Sequence, residues 1–505
     1  MKYDCIIIGS GLGGLLSAAL LARSGVKVAL FEKHYVLGGY ASQFKRKGFN
    51  FEVGLHAIDG FDERDLKFRV FDFLKINQKI AWVSLDNMYC LKHGDNEVLL
   101  PLGREKSLDY LCKEFPEDAD KLLEFYSLLD MFYELTRFDG KYIEKRSYSM
   151  VLKKYMVSTC GSVIESFFKN EKLRQLLFGH AYFYHDNPYE LSFFYFACGL
   201  ANYLFGGAKI PKKGSVELID ALATSIKENG SEVFLQSEVQ EILLDDKKVQ
   251  GVLVSHKRSV QESYFADIII ANAPMPHVYE KLLKNEVQHP SCNLQKFSVS
   301  TSLSCLYIGL SEKLENPHYS THFVEADFQT HPKFYADIYK NFSTVKNKEM
   351  IHTFNCVDYG QLDLNLCKKG SQVSFLSLDR LKNWSQLSLK EYEFEKEKMK
   401  DFYLQKFLHY FPKASNLIVC SEFATPKTFA RYTNNDQGAL YGFAPTIYQS
   451  GFYRPRQEGA IKNLYFASAW TRPGAGFSGV MISAISVSQK ILKRHFKKNL
   501  MMDES

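Results

Sequence analysis

No apolar run in this chain is long enough to cross a bilayer, which takes about 20 consecutive apolar residues. The nearest, Leu191 to Phe205 (LSFFYFACGLANYLF), is too short. It reads as a buried helix or as a patch that dips into a membrane surface. No basic stripe interleaved with aromatics is present and the net charge is only +6, so the chain is not a nucleic-acid binder. The ten cysteines are scattered, with no C-x-x-C and no repeated spacing. That excludes a disulfide framework and signals no metal site. No targeting segment fits ahead of the first strand. Together these absences predict a cytoplasmic protein with reduced thiols. Internal repeats and low-complexity stretches are lacking too.

At 505 residues the chain has room for two or three domains and a large core. Aromatics are abundant, with 40 Phe and 30 Tyr. Most must fill the core, and some can line a pocket for a flat or elongated apolar ligand. Basic residues gather at the C-terminus (Lys490, Lys493, Arg494, Lys497, Lys498) among Ile491, Leu492, Phe496, Leu500 and Met501. This is either the solvated end of a last helix or a peripheral anchor for anionic lipid.

The strongest signal stands at the start. Met1 to Ile8 (MKYDCIII) predicts a buried strand, Gly9-Ser10-Gly11-Leu12-Gly13-Gly14 a turn, and Leu15 to Arg23 a helix. A second strand, Val26 to Phe31, ends at Glu32. This is the dinucleotide-binding fingerprint in its required setting, strand before and helix after. Gly9 permits the tight turn. Gly11 lets the backbone approach a pyrophosphate where a Cβ would collide. Gly14 lets the helix pack close to the strand. The helix N-terminus offers free N–H groups and a partial positive charge to phosphates. Glu32 can accept hydrogen bonds from both hydroxyls of an adenosine ribose and would repel a 2′-phosphate.

Nucleotide-type segments recur in the middle and at the end. Ile210 to Ser215 leads into a predicted helix, Val216 to Glu228, then a strand, Glu232 to Leu235. Val239 to Leu244 and Val249 to Val254 alternate around a polar turn as a hairpin does. Ala266 to Ala271 is a continuous apolar strand running into Asn272-Ala273-Pro274. Asn463 to Ala469 (NLYFASA) reads as a strand, followed by a Gly/Pro loop and a helix from about Ser478. Between these segments lie a helix-rich, aromatic stretch and a mixed stretch. The mixed stretch has strands at Ser298 to Leu310 and Gln372 to Leu378. A capping box, Ser388 with Glu391, starts a helix there whose Tyr392, Met399 and Phe402 are core positions.

Immediately after Glu32, Lys33 to Tyr40 carries a Gly38-Gly39 pair that resembles the second signature of FAD enzymes of the glutathione-reductase-like class. Phe49 to Gly60 (FNFEVGLHAIDG), Ile210 to Asp220, Phe423 to Phe443 and Asn463 to Ala484 resemble the phytoene desaturase family. That family also holds carotenoid isomerases, ketolases and retinol saturase-like enzymes. The resemblance implies an α/β fold: a glutathione-reductase-like Rossmann domain for FAD, interrupted by an α+β substrate domain. The FAD domain is expected at 1–80, 205–290 and 432–505, and the substrate domain at 81–204 and 291–431. Gly9, Gly11, Leu12, Gly13, Gly14, Glu32 and Lys33 would hold the ADP half. Gly39, Tyr40 and Ala41 would run past the pyrophosphate, and the Val239 backbone would meet the adenine. Gly476, Ser478, Gly479 and Val480 would bring a helix N-terminus to the flavin, where its positive end stabilises charge on a reduced ring. Many relatives carry Asp where this chain has Ala469, and Arg where it has Tyr40. His56 lies in a stretch that passes near the flavin in relatives. It is a candidate for proton transfer or a hydrogen-bonding strut. Trp470 and Arg472 are expected to border the ring.

The resemblance implies an FAD-dependent oxidoreductase acting on carbon–carbon bonds of a long apolar polyene, carotenoid-like or retinoid-like. Desaturation, saturation and cis–trans isomerisation stay open, as do the electron acceptor and the oligomeric state. The substrate would sit in a long apolar tunnel lined from both inserted stretches, its mouth near Leu191 to Phe205. Two rivals remain. One is an amine-oxidase-like flavoprotein with an aromatic cage. The other is a non-redox carrier of prenyl lipids, like the Rab GDP-dissociation inhibitors.

Overall fold

The N-terminal strand Lys2–Ile8 is an inner strand of a seven-stranded sheet in the computed structural model, which describes residues 2–137, 153–257, 260–283, 294–325, 348, 351–474 and 476–500. From one edge the order is Glu232–Phe234, Val28–Phe31, Lys2–Ile8, Val260–Ala271, Lys248–His256 and Ser237–Asp245. Leu464–Phe466 also pairs with Val260–Ala271. The long strand changes partner along its length. Val260 to Phe265 pairs antiparallel with Gly251 to His256, and Ile269 to Ala271 pairs parallel with Leu464 to Phe466. Side chains alternate between faces with period two. Cys5, Ile7, Leu30, Ile268 and Ile270 pack against the helices Leu12–Arg23, Ser215–Glu228 and Phe477–Ile491. Ile6, Ile8, Phe31, Ile269 and Ala271 pack on the opposite side. Burial on both faces is why these strands read as unbroken apolar runs.

A second seven-stranded sheet runs Ile418–Ala424, Ser302–Leu310, Ser371–Asp379, Thr353–Asp358, Ser320–Val324, Asn87–His93, Asn96–Pro101. Its last two strands come from the stretch read as helix-rich, so the two inserted stretches share one sheet. The helix Leu389–Tyr410 begins at the expected Ser388–Glu391 capping box. It buries Met399, Phe402, Tyr403 and Phe407 against Leu306, Ile308, Phe354 and Phe375. Tyr392 is only partly buried.

Several expectations need correction. Leu191 to Phe205 is not a membrane patch. The helix there is Phe193–Gly206, and Phe193, Phe196, Ala197, Leu200, Ala201 and Leu204 are buried in the helical core. Arg494 and Lys490 pair with Glu458, while Ile491, Leu492 and Leu500 turn inward, so among the described residues these three apolar side chains of the C-terminal cluster do not form an exposed face. Met501 and the expected boundary at 290/291 lie outside the described residues. The strand expected over Asn463 to Ala469 is only Leu464–Phe466, because the Ala467 carbonyl turns to accept from the Asn272 side chain. The strand expected from Ser298 begins at Ser302. Among the described residues no helix is long and apolar enough to cross a membrane, and the nine described cysteines are unpaired.

One buried carboxyl joins the hairpin Gln43–Arg46/Phe49–Glu52 to the helix at Ser215. Glu52 Oε1 accepts from Gln43 Nε2 at 2.5 Å and from the Ser215 backbone N–H at 2.7 Å. Gly214 has φ +73°, and a Cβ there would collide with this oxygen. Burial pushes the Glu52 carboxyl up to about 7. The native state therefore holds a proton, from the ordinary carboxylate range up to about 7, that the unfolded chain releases. Stability falls as pH rises through that window. Glu52→Gln cannot titrate. Between pH 5 and pH 8 wild type should lose on the order of 1–3 kcal/mol relative to this variant in urea unfolding. Parallel pH dependences would show that Glu52 is ionised throughout.

Candidate functional site

The glycine turn leaves the carboxyl end of Lys2–Ile8, where open parallel sheets bind ligands. Gly9 takes φ +93°. A Cβ on Gly14 would strike the Gly9 carbonyl, so Gly14 serves helix packing, and it does not face the cavity below. A Cβ on Gly11 would collide with Asn272 Oδ1, and one on Gly13 with the Ala467 carbonyl. The glycines thus admit neighbouring protein as well as a ligand. Gly38 takes φ +110° and its N–H reaches the Ser10 carbonyl at 3.1 Å, which brings Gly39 beside Gly11. Glu32 is fixed by Ser10: its Oε2 accepts from the Ser10 N–H at 2.8 Å and from Ser10 Oγ at 2.6 Å.

These groups open on a cavity of about 900 Å³. Of the residues expected to touch a cofactor, Gly9, Gly11, Leu12, Gly13, Glu32, Lys33, Gly39, Tyr40, Ala41, Val239, Ala469, Gly476, Ser478, Gly479 and Val480 all line it. Two helix N-termini face it, at Leu12 and Phe477, and no side chain caps either. Their first N–H groups are left for a ligand, with the positive dipole ends behind them. Ser478 Oγ donates to Asp59 Oδ1. Lys33 lines the cavity, but its ammonium donates to Asn434 Oδ1 at 2.5 Å. The Tyr40 hydroxyl donates to the Ala439 carbonyl at 3.0 Å, and burial pushes it up to about 12. Tyr40 therefore does not stand in for a cation. Trp470 borders the cavity as expected. Arg472 does not: its Nε donates to the Arg454 carbonyl at 2.9 Å, and it lies outside the lining.

A model of the flavin containing amine oxidoreductases matches residues 12–492. The chain belongs to this family. It is 25% identical over 512 residues to a chloroplastic prolycopene isomerase of Daucus carota, covering 97% of this chain and 80% of that protein. It is 24% identical over 520 residues to a 4,4'-diapophytoene desaturase (4,4'-diaponeurosporene-forming) of Staphylococcus aureus, covering 96% and 98%. An oxidoreductase from Methanosarcina mazei has the same fold, with TM-score 0.61, 17% identity and 96% and 99% coverage. Putrescine oxidase bound to putrescine also has it, at TM-score 0.60, 13% identity and 98% and 100% coverage. So does a Rab GDI from Plasmodium falciparum, at TM-score 0.51, 13% identity and 99% coverage of each chain. The fold alone therefore does not separate an enzyme from a carrier; the family match does.

Membership makes the protein an FAD-dependent oxidoreductase, and the residues present fit FAD. The uncapped helix N-termini and the Gly11–Gly39 approach would receive the phosphates, and the Ser10-oriented Glu32 carboxylate would accept from the ribose.

His56 is held on both sides. Its Nδ1 is 2.8 Å from the Tyr359 hydroxyl, and its carbonyl accepts from the Tyr319 hydroxyl at 2.6 Å. It lines the cavity, and burial lowers the imidazole to about 4. A neutral ring at pH 7 is no imidazolium donor. It can accept a proton or relay one with Tyr359.

Sequence reasoning missed several lining residues. Asn272, Ala273 and Pro274 end a parallel strand, and that position was the available signal. Asp65, Lys67, Arg137 and Asn202 also line the cavity. Asp65 and Lys67 are neighbours, but Arg137 and Asn202 stand far from them and from each other in the chain, and no spacing connects the three places.

Gly11→Val should abolish flavin retention, since its side chain meets Asn272 and closes the approach of a pyrophosphate. Flavin-to-protein ratio, read with the circular dichroism of the same sample, checks this. A folded variant with full flavin content would overturn it.

Proposed function

We propose that the protein acts on carbon–carbon bonds of a long apolar polyene, carotenoid-like or retinoid-like, by desaturation, saturation or cis–trans isomerisation. One observation carries the reading. The cavity runs without interruption from the glycine turn into a chamber walled by Leu85, Met88, Phe183, Phe194, Tyr195 and Tyr203. An extended apolar chain lying there is desolvated along its length, which is the main source of its binding free energy. The isomerase and desaturase relatives support the same substrate class. The segment expected near the tunnel mouth, Leu191 to Phe205, lines the chamber through Phe194, Tyr195 and Tyr203.

FAD supplies the acceptor or donor of the hydride or electrons. The protein's own groups orient the chain, exclude water and handle a proton. His56 is the group we assign to the proton, as acceptor or relay with Tyr359. Turnover should be level near neutral pH and fall as pH drops towards about 4, where the imidazole protonates. His56→Gln should keep FAD bound, lose this acid limb and slow turnover by roughly 10²–10⁴-fold. Turnover within a few-fold of wild type would remove the assignment, and loss of flavin would make His56 a strut.

A second reading has an observation of its own. The rings of Tyr184 and Tyr195 meet edge to face at 5.3 Å, and Tyr184 and Tyr441 at 6.1 Å, all at the cavity wall. Such an aromatic enclosure also suits an amine. Anaerobic spectroscopy of the flavin-loaded protein separates the two. We expect polyenes in detergent to bleach the flavin or, once it is reduced, to reoxidise it or be isomerised. Putrescine should leave the spectrum unchanged. Bleaching by amines, with no response to any polyene, would install the amine reading.

A further inference from the structure

The two inserted stretches join along one strand pair, and three side chains that suit a metal ion gather at that seam. Asn87–His93 runs parallel to Ser320–Val324, with Cys90 beside Thr321 and Lys92 beside Phe323. On its other edge it pairs with Asn96–Pro101, where Cys90 stands opposite Leu99 and Lys92 opposite Glu97. Side chains paired across a ladder share a face, and residues two apart return to it. Cys90 and Glu97 are therefore diagonal neighbours on one face. His318, two residues before the strand Ser320–Val324, reaches the same spot. Cys90 Sγ, a Glu97 carboxylate oxygen and a His318 ring nitrogen lie within 4.8 Å of one another. None of the three lines the cofactor cavity, whereas Ser320 and His322, on the opposite face of the sheet, do.

Thiolate, imidazole and carboxylate are the ligands of a zinc-class ion, and a hard ion such as magnesium does not favour a thiolate. In a tetrahedral zinc site such donors stand roughly 3.3–3.5 Å apart. His318 Nε2 is 2.5 Å from Glu97 Oε1, so that pair opens only slightly to admit the ion. The donors are already held. Cys90 is fixed between two ladders, and Asn316 clasps the His318 backbone from both sides: its Nδ2 donates to the His318 carbonyl at 2.8 Å, and its Oδ1 accepts from the His318 N–H at 3.3 Å. An ion has a way in, since the Glu97 and His318 side chains are 42% and 14% exposed. A cation already stands at this place. The Lys92 ammonium lies 2.9 Å from Glu97 Oε2, on a side chain 31% exposed whose flexible stem can carry it outwards. A thiolate and a carboxylate then balance a divalent charge.

We infer that Cys90, Glu97 and His318 bind one zinc-class divalent ion, with water in the fourth position. The Cys90 thiol gives up its proton to solvent as the metal–sulfur bond forms. Cys90 and Glu97 belong to the first inserted stretch and His318 to the second, so the ion clasps the seam through which the two share a sheet. Its role is to hold that sheet, whose other face walls the chamber. No cysteine spacing signals the site, because His318 lies 221 residues after Glu97. The inference goes beyond the substrate reading and does not rest on it.

The test uses the full chain loaded with flavin, stripped of metal with a chelator and then titrated with zinc alone or cobalt alone. One equivalent of zinc should bind in competition with a chromophoric chelator and raise the unfolding temperature. Cobalt should give the absorption bands of a tetrahedral thiolate site, to the red of the flavin bands. Cys90→Ser and His318→Gln should each weaken zinc binding by more than about 100-fold, beyond the 10–100-fold cost of losing a residue that merely orients a ligand. If Cys90→Ser does not fold, His318→Gln alone decides. Absence of zinc binding to the wild-type chain overturns the inference. So does zinc binding that His318→Gln leaves unchanged, which marks an adventitious ion only.

Discussion

Three segments hundreds of residues apart touch at one point, and the site is assembled around that contact. Asn272 Nδ2 donates to the Ala467 carbonyl at 2.5 Å, while Gly11 and Gly13 pass so close that neither could carry a side chain. This contact sets the first turn of the helix Leu12–Arg23 against the ends of two parallel strands. The glycine turn is packed directly on this contact. A hydrogen bond shielded from water in this way is stronger than an exposed one, and its geometry is correspondingly fixed. Ala467 is two residues before Ala469, so the same contact places the loop that leads to the second helix N-terminus at Phe477.

Much of this was legible in the sequence, for a physical reason. A turn that no Cβ can enter must be written in glycine, and a strand buried on both faces must be written in apolar residues. The hairpin on either side of Asp245 to Lys248 and the capping box at Ser388 are equally local, each enforced within a few positions. Interactions enforced by distant parts of the chain were not legible. The Arg137 cluster draws on residues 62, 65, 67, 137 and 202, and each alone is an ordinary surface-type residue. Leu191 to Phe205 had the composition of either a membrane patch or a core helix. Only its neighbours Phe125, Phe132 and Leu129 decide for the core. The strands Asn87–His93 and Asn96–Pro101 pair with each other as a hairpin, a local feature that was passed over, while the second partner of Asn87–His93, Ser320–Val324, lies more than 200 residues downstream.

His56 shows how burial redirects a chemical expectation. Imidazole attracts attention as a proton donor because its ordinary titration lies near neutrality. In an apolar chamber the charged form is penalised. The same residue then works as a neutral hydrogen-bonding ring, and Tyr359 becomes part of whatever it does. The aromatic walls that suit a polyene are the cause.

The order of the strands has a consequence for how the chain is made. Lys2–Ile8 is synthesised more than 250 residues before its inner neighbour Val260–Ala271, and more than 450 before Leu464–Phe466 and Phe477–Ile491. Val28–Phe31 and the helix Leu12–Arg23 cover one edge and one face of Lys2–Ile8 early, but its other edge has no partner in the interval. A nascent chain with its glycine turn already written but its sheet unfinished exposes an apolar strand edge throughout synthesis. Leu464–Phe466 must be made before this sheet is complete. A chain that stops before residue 464 lacks the strand that pairs with Ile269 to Ala271, so the parallel part of the sheet stays open on that side.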